Sequence, residues 1–238
     1  MEASCHDLYD TKLTIFKNKD RYLHFIHIPK TSGTSVCNLL EQAGWKKLKF
    51  VQVPAQVVDI CKKTDAYKHQ HREIWKQWDI SVDYRFAFVR NPYERFVSQC
   101  KQIAIAEGYD SISPAYVLEK FKVYLDLIKT NGLHQDDNHI RPQHEFIDEN
   151  TAIFRMEDQR EAFLLWCRER DIISKDISFN HLNNSLKNEP LTIVHWPLVP
   201  DLHAMFLGLY GEDFEKFGYN KEVPTYGLKI NWKKYAKA

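Results

Sequence analysis

FIHIPKTSGTSV, residues 25–36, runs from an apolar stretch into a proline, a lysine and four hydroxyl side chains gathered around a single glycine. The segment before it, LHFIHI (Leu23 to Ile28), is short, rich in strand-forming residues and stops at Pro29. After Gly33, TSVCNLLEQAG places Val36, Leu39, Leu40 and Ala43 at helical spacing and ends at Gly44. The spacing predicts strand, tight loop, helix. YRFAFV (Tyr84 to Val89) repeats the pattern, ending in a polar corner, RNPYERFVSQC, whose Pro92 suits the first turn of a helix.

Outward from these two corners, a strand is expected from Lys47 or Leu48 to Val53 and a helix from Ala55 to Lys63. A helix capped by Ser113, with Pro114 at its first position, is expected to reach Lys129. A late strand spans Thr151 to Glu157 and a helix runs from Asp158 to about Arg170. DLHAMFLGLYGEDFEKFGY reads as helical with a break near Gly211, and HLNNSLKNEP as an asparagine-rich loop. Strands alternating with helices give an α/β class: a central, mostly parallel sheet flanked by helices in three layers. No linker divides the chain, so 1–238 is expected to be a single domain with its core at about 22–220.

Composition narrows the function. Lys and Arg number 33 against 32 Asp and Glu, which argues against a surface built for a nucleic acid polymer. Any anion site is local. No stretch is apolar for long enough to serve as a membrane anchor, and MEASCHDLYDTK lacks the pattern of a signal peptide, so a cytoplasmic location is expected. Cys5, Cys37, Cys61, Cys100 and Cys167 show no CxxC spacing, so they suggest neither a disulfide framework nor a zinc site. Nothing indicates the oligomeric state.

In a parallel α/β sheet, ligands sit where strands end and helices begin, because helix N-termini present backbone N–H groups and partial positive charge. At the first corner Gly33 admits close backbone approach, Thr31, Ser32, Thr34 and Ser35 bring hydroxyls, and Lys30 brings a full charge. The alternative is a strand-to-helix turn capped by Ser or Thr. The loop is not GxxxxGK[ST], and neither strand ends in an acid for magnesium, which weighs against a P-loop kinase. Arg90, at the second corner, and Ser98, about two helical turns on, supply another anion-competent group. Two such corners fit a nucleotide with separate 5′ and 3′ phosphates.

HIPKTSGTS (His27 to Ser35) together with FVRNPYERFVS (Phe88 to Ser98) resembles the paired cofactor motifs of the sulfotransferase family 2 group, which includes heparan and chondroitin sulfotransferases. AYKHQHREI, NHIRPQHEFI, IFRMED, HLNNS and DFEKFGY agree in order, so the resemblance spans Leu23 to Tyr219. One departure is Ser32, where many relatives carry a second glycine. The resemblance implies a P-loop-like fold and the donor 3′-phosphoadenosine 5′-phosphosulfate, with adenosine 3′,5′-bisphosphate as product and no metal. It implies in-line sulfuryl transfer to a hydroxyl or amine of a carbohydrate or small-molecule acceptor. Lys30 would meet the bridging oxygen, Ser32 to Ser35 the 5′-phosphate, and Arg90 and Ser98 the 3′-phosphate. A nucleotide-binding module without turnover is the remaining alternative.

His69 and His71 lie where relatives carry the histidine given the role of base, and His69 is favoured slightly. A metal held by HxH would need a third ligand, which the spacing does not supply. His139, Arg141 and Gln143 are candidates to touch the acceptor or to lock their own loop, and Asp136 and Asp137 suit a neutral or cationic acceptor. Arg155 is expected in an internal ion pair or against the nucleotide; Asn184 and Ser185 form either a lid over it or a plain turn. Trp75 and Trp78 are expected in the core, with an acceptor pocket as the alternative.

Overall fold

The computed structural model describes residues 8–9, 14–48, 51–52, 69–77, 81–110, 112–174, 176–177 and 200–222. The expected helix at 55–63, Trp78, Asn184 and Ser185 lie outside the described residues. Seven strands are present among them: β1 Leu8–Tyr9, β2 Ile15–Asn18, β3 Arg21–Ile26, β4 Lys46–Lys47, β5 Val51–Gln52, β6 Tyr84–Val89 and β7 Ala152–Arg155. The α-helices with right-handed backbone throughout are α1 Gly33–Gln42, α2 Arg72–Trp75, α3 Pro92–Ala106, α4 Pro114–Asn131, α5 Arg160–Glu169 and α6 Pro200–Phe217, and short 3-10 turns lie at Gly132–His134 and Gln143–Phe146.

β3, β6 and β7 pair in parallel, as the two repeated corners require. β2 and β4 extend the sheet antiparallel, giving the order β4-β2-β3-β6-β7. The sheet is therefore half antiparallel rather than mostly parallel. The reason is a hairpin, TIFKNKDRYLHF, whose two-residue turn at Lys19 and Asp20 returns the chain directly onto β3; Lys19 takes the positive φ, 53°, that such turns need. Of the strand expected from Lys47 or Leu48 to Val53, the described residues include the end of β4, beside β2, and all of β5, beside β1.

Period-two alternation divides β3 and β6 between two cores. Leu23, Phe25, Phe86 and Phe88 face α1 and α5, packing on Val36, Leu39, Leu40 and Phe163. Ile26, Ala87 and Val89 face the other way onto Trp75, Phe146 and Phe217. A third cluster, built from Phe96, Phe121, Phe206 and Phe214, ties α3, α4 and α6 together. Trp75 is core, donating its indole N–H to the Phe146 carbonyl at 2.7 Å. α6 passes through Gly211 without the expected break. Its buried aromatics Phe206, Tyr210, Phe214 and Phe217 keep the helical spacing across it, so packing overrides the weak helix propensity of glycine. No described helix is long and apolar enough to cross a membrane.

His24, opposite Arg85 in the β3–β6 register, is 5 % exposed and packs edge-on against Trp75. Burial, with the Arg85 charge adding to it, pushes its pKa down to about 3. The native state thus stays unprotonated at His24 where the unfolded chain takes up a proton, and the stability present above pH 6.5 is lost as pH falls toward 3. Chemical denaturation of wild type and His24→Gln across this range should show an excess slope of ~1.4 kcal/mol per pH unit in the wild type. Parallel slopes would contradict the assignment.

Candidate active site

The register pairs Ile26 with Ala87, so two residues farther along Ile28 stands level with Val89, and the Lys30 loop and Arg90 leave the same edge of the sheet. At the first corner Lys30 and Ser32 both take left-handed backbone, φ 67° and 72°. Alternation of left-handed residues turns successive N–H groups inward, which is the geometry of an anion-binding nest. Ser32 occupies the N-cap position of α1 yet makes no side-chain cap bond, so this is not the capped-turn alternative. Its φ is one that a glycine would adopt without strain. Thr31 is fully buried and donates to the Ile28 carbonyl at 2.8 Å, closing the loop from within; Thr34 is exposed and Ser35 buried. Lys30 reaches α3, where its Nζ donates to Gln102 Oε1 at 2.6 Å.

Gly33 has a second role that spacing alone does not show. A Cβ there would lie 1.7 Å from His27 Nε2. The imidazole of His27 rests directly on the first turn of α1, stacked on Phe25 at 5.4 Å. From there a chain of edge-on rings runs from His27 to His69 and on to His139, each centroid pair 4.6 Å apart.

His69 is 4 % exposed and held on two sides. Its Nδ1 and Asp137 Oδ2 are 2.8 Å apart, and its backbone N–H donates to Asp137 Oδ1 at 3.2 Å. The Asn138 side-chain amide donates to the His69 carbonyl at 2.8 Å. With the proton on Nδ1 shared toward the carboxylate, Nε2 is left as the proton acceptor. Asp137, expected at the acceptor, is bonded to a histidine. His71, also buried, stands at the N-cap of α2, its carbonyl accepting from Ile74 and Trp75; the pair is not on the surface.

The segment that carries Asp137 is unusual. Asp136, Asp137 and Asn138 all have positive φ, 51°, 50° and 62°, a left-handed turn costing roughly 1–2 kcal/mol per residue. Gln99 and Tyr124 donate to Asp136 Oδ2 at 2.6 and 2.9 Å, and Arg141 Nε donates to Asn138 Oδ1 at 2.9 Å. Arg95, 2 % exposed on α3, joins the two loops, donating to the carbonyls of Pro29, His139 and Arg141 at 3.1, 2.9 and 2.9 Å. Burial lowers the His139 pKa most, with Asp136 and Asp137 opposing and Lys30 adding to the lowering.

Arg141 and Gln143 both make contacts that hold this region together. Arg141 pairs with Glu145, and Gln143, fully buried, bonds both backbone groups of Arg90 and leans on Asp213. Arg155 pairs with Asp158 at 2.5 Å and lies over Tyr219. Arg90 contacts Glu94 at 3.4 Å, while its Nε is buried with no hydrogen-bond partner among the described residues. An unsatisfied buried guanidinium N–H at a strand end suits an incoming anion. Ser98, half-buried on α3, lies one turn before the Lys30 partner Gln102 and therefore on the same side of the helix. His27, Arg95, Gln102 and Asn138 were not among the sequence candidates. The FIHIPK motif carried His27 in plain view, one residue past β3 and two from the buried Phe25 on which it stacks.

Gly33→Ala should cost about 1–3 kcal/mol by overpacking against the imidazole, measured by urea denaturation, and His27→Ala in the same chain should recover most of that loss. Additive losses would contradict the contact.

A family model described as the sulfotransferase family matches residues 13–220. No curated protein and no solved structure matches the chain.

Proposed function

The chain belongs to sulfotransferase family 2, and on that premise we propose that it moves a sulfuryl group from 3′-phosphoadenosine 5′-phosphosulfate to an acceptor hydroxyl or amine. The observation that carries this reading is the placing of the His69–Asp137 pair beside the Lys30 loop. The His27 ring touches both Gly33 and His69, bridging the two. Membership also suggests a P-loop-like arrangement of the sheet and its first corner.

The residues present fit such a donor. Ser32 to Ser35, on the left-handed loop and first turn of α1, would hold the 5′-phosphate, with Lys30 beside them. Arg90, with its buried unsatisfied Nε, and Ser98 would hold the 3′-phosphate. When bound, the donor supplies a sulfuryl group activated by its phosphate leaving group. Lys30 would neutralise the negative charge that develops on the 5′-phosphate as its oxygen parts from sulfur. His69 Nε2 would take the acceptor proton as the acceptor oxygen or nitrogen bonds to sulfur, and Asp137 would stabilise the resulting imidazolium. His139, stacked edge-on against His69, would line the acceptor side. Asp136, 45 % exposed at its side chain, adds negative charge there and favours a neutral or cationic acceptor, a carbohydrate or small molecule, over a polyanion.

Incubation with sulfur-labelled donor and a panel of neutral sugars and small alcohols and amines should give labelled product. Lys30→Ala and His69→Asn should each lower kcat by roughly 10²–10⁴-fold. Asp137→Asn should lower kcat, leave KM for the donor unchanged, and alter the pH profile, since it acts through His69. Undiminished transfer in Lys30→Ala, or no transfer to any acceptor by the folded wild type, would contradict the proposal.

A further inference from the structure

We propose that His69, Asp137 and His139 also form a binding site for a borderline-soft divalent metal ion of the zinc type, and that its occupancy silences the base. One ligand atom from each lies within 4.8 Å of the others. Of the HxH pair only His69 takes part, and the other two donors come from a distant segment, where the left-handed turn at 136–138 brings Asp137 and His139 onto it.

The trio is held in place before any ion arrives. Two hydrogen bonds join Asp137 to His69, Asn138 anchors the His69 carbonyl, and Arg95 fixes the His139 carbonyl. Two imidazoles and a carboxylate are the donor set of open zinc sites, whereas magnesium and calcium demand mostly oxygen. A tetrahedral ion with bonds of about 2.0–2.1 Å sets its ligand atoms roughly 3.3 Å apart. The His69 Nδ1 to Asp137 Oδ2 separation of 2.8 Å needs to open by about half an ångström, and the widest pair to close by up to about 1.5 Å, from 4.8 Å. Side-chain exposures of 25 % at Asp137 and 12 % at His139 leave an approach for the ion, with a position for solvent as fourth ligand.

Inhibition rests on the role given to His69 above. An ion on Nδ1, the nitrogen that Asp137 faces, displaces that nitrogen's proton, which a neutral imidazole then carries on Nε2. The lone pair that would receive the acceptor proton is thereby lost without any change at the phosphate loop.

Cobalt(II), added to the folded, tag-free chain, is the probe, because a tetrahedral nitrogen and oxygen environment gives it intense visible absorption. The expected result is saturation at one ion per chain, displacement by zinc but not by magnesium, and at least tenfold weaker binding in Asp137→Asn and His139→Gln. Melting temperature confirms that the variants fold, and His139→Cys should keep the site and add a thiolate-to-cobalt charge-transfer band. No visible band, or undiminished binding in both weakened variants, would overturn the site. In the transfer assay zinc should inhibit and a chelator restore activity; full activity at saturating zinc would overturn the inhibitory role. The optical titration decides the metal site whether or not transfer is observed, so it fails independently of the sulfuryl-transfer reading.

Discussion

The parallel pairing of β3 with β6 is the constraint on which the site depends. Phe25 opposite Phe86 and Ile26 opposite Ala87 fix the register, and a slip of one residue would turn each strand's aromatic face away from α1 and α5. With the register fixed, the Lys30 loop and the Arg90 corner emerge at one level, each followed at once by a helix. Two helix N-termini and two cations then share one edge of the sheet, where separate anionic groups of one ligand can be met together.

A second constraint binds the 136–141 loop to that edge. Arg95 is a buried cation whose guanidinium is spent on three backbone carbonyls, one before the Lys30 loop and two in the 139–141 segment. Removing it would leave those carbonyls without their donor inside the protein, a costly change. The left-handed turn at 136–138 depends on such support. Its strain, several kcal/mol at roughly 1–2 per residue, persists because Gln99, Tyr124, Arg141 and His69 all bond to it. The strain has a use. It turns two neighbouring residues, Asp137 and His139, toward the same imidazole.

Both corners, the helices behind them and the late strand were legible because short apolar runs, Pro29, Pro92 and Gly44 mark their ends in the local sequence. The hairpin of β2 was missed although its turn is short, since TIFKNKD lacks the Asn-Gly or Asp-Gly pair that usually signals such a turn. Lys19 bears the positive φ instead. The histidine pair at 69 and 71 was found through resemblance, but spacing could not separate the two. What the structure adds is tertiary: Asp137, 68 residues away, lies 2.8 Å from His69 Nδ1. Likewise the collision that reserves position 33 for glycine comes from His27, just past the end of β3, whereas a loop motif read alone assigns the glycine entirely to the ligand.

The central claim is that the two corners grasp two phosphates of a single nucleotide. Isothermal titration of the full chain with adenosine 3′,5′-bisphosphate and with AMP tests it directly. The account predicts that the bisphosphate binds at least tenfold more tightly than AMP, and that Arg90→Ala brings its affinity to that of AMP while leaving AMP binding unchanged. Equal affinities for the two nucleotides in the wild type would contradict it.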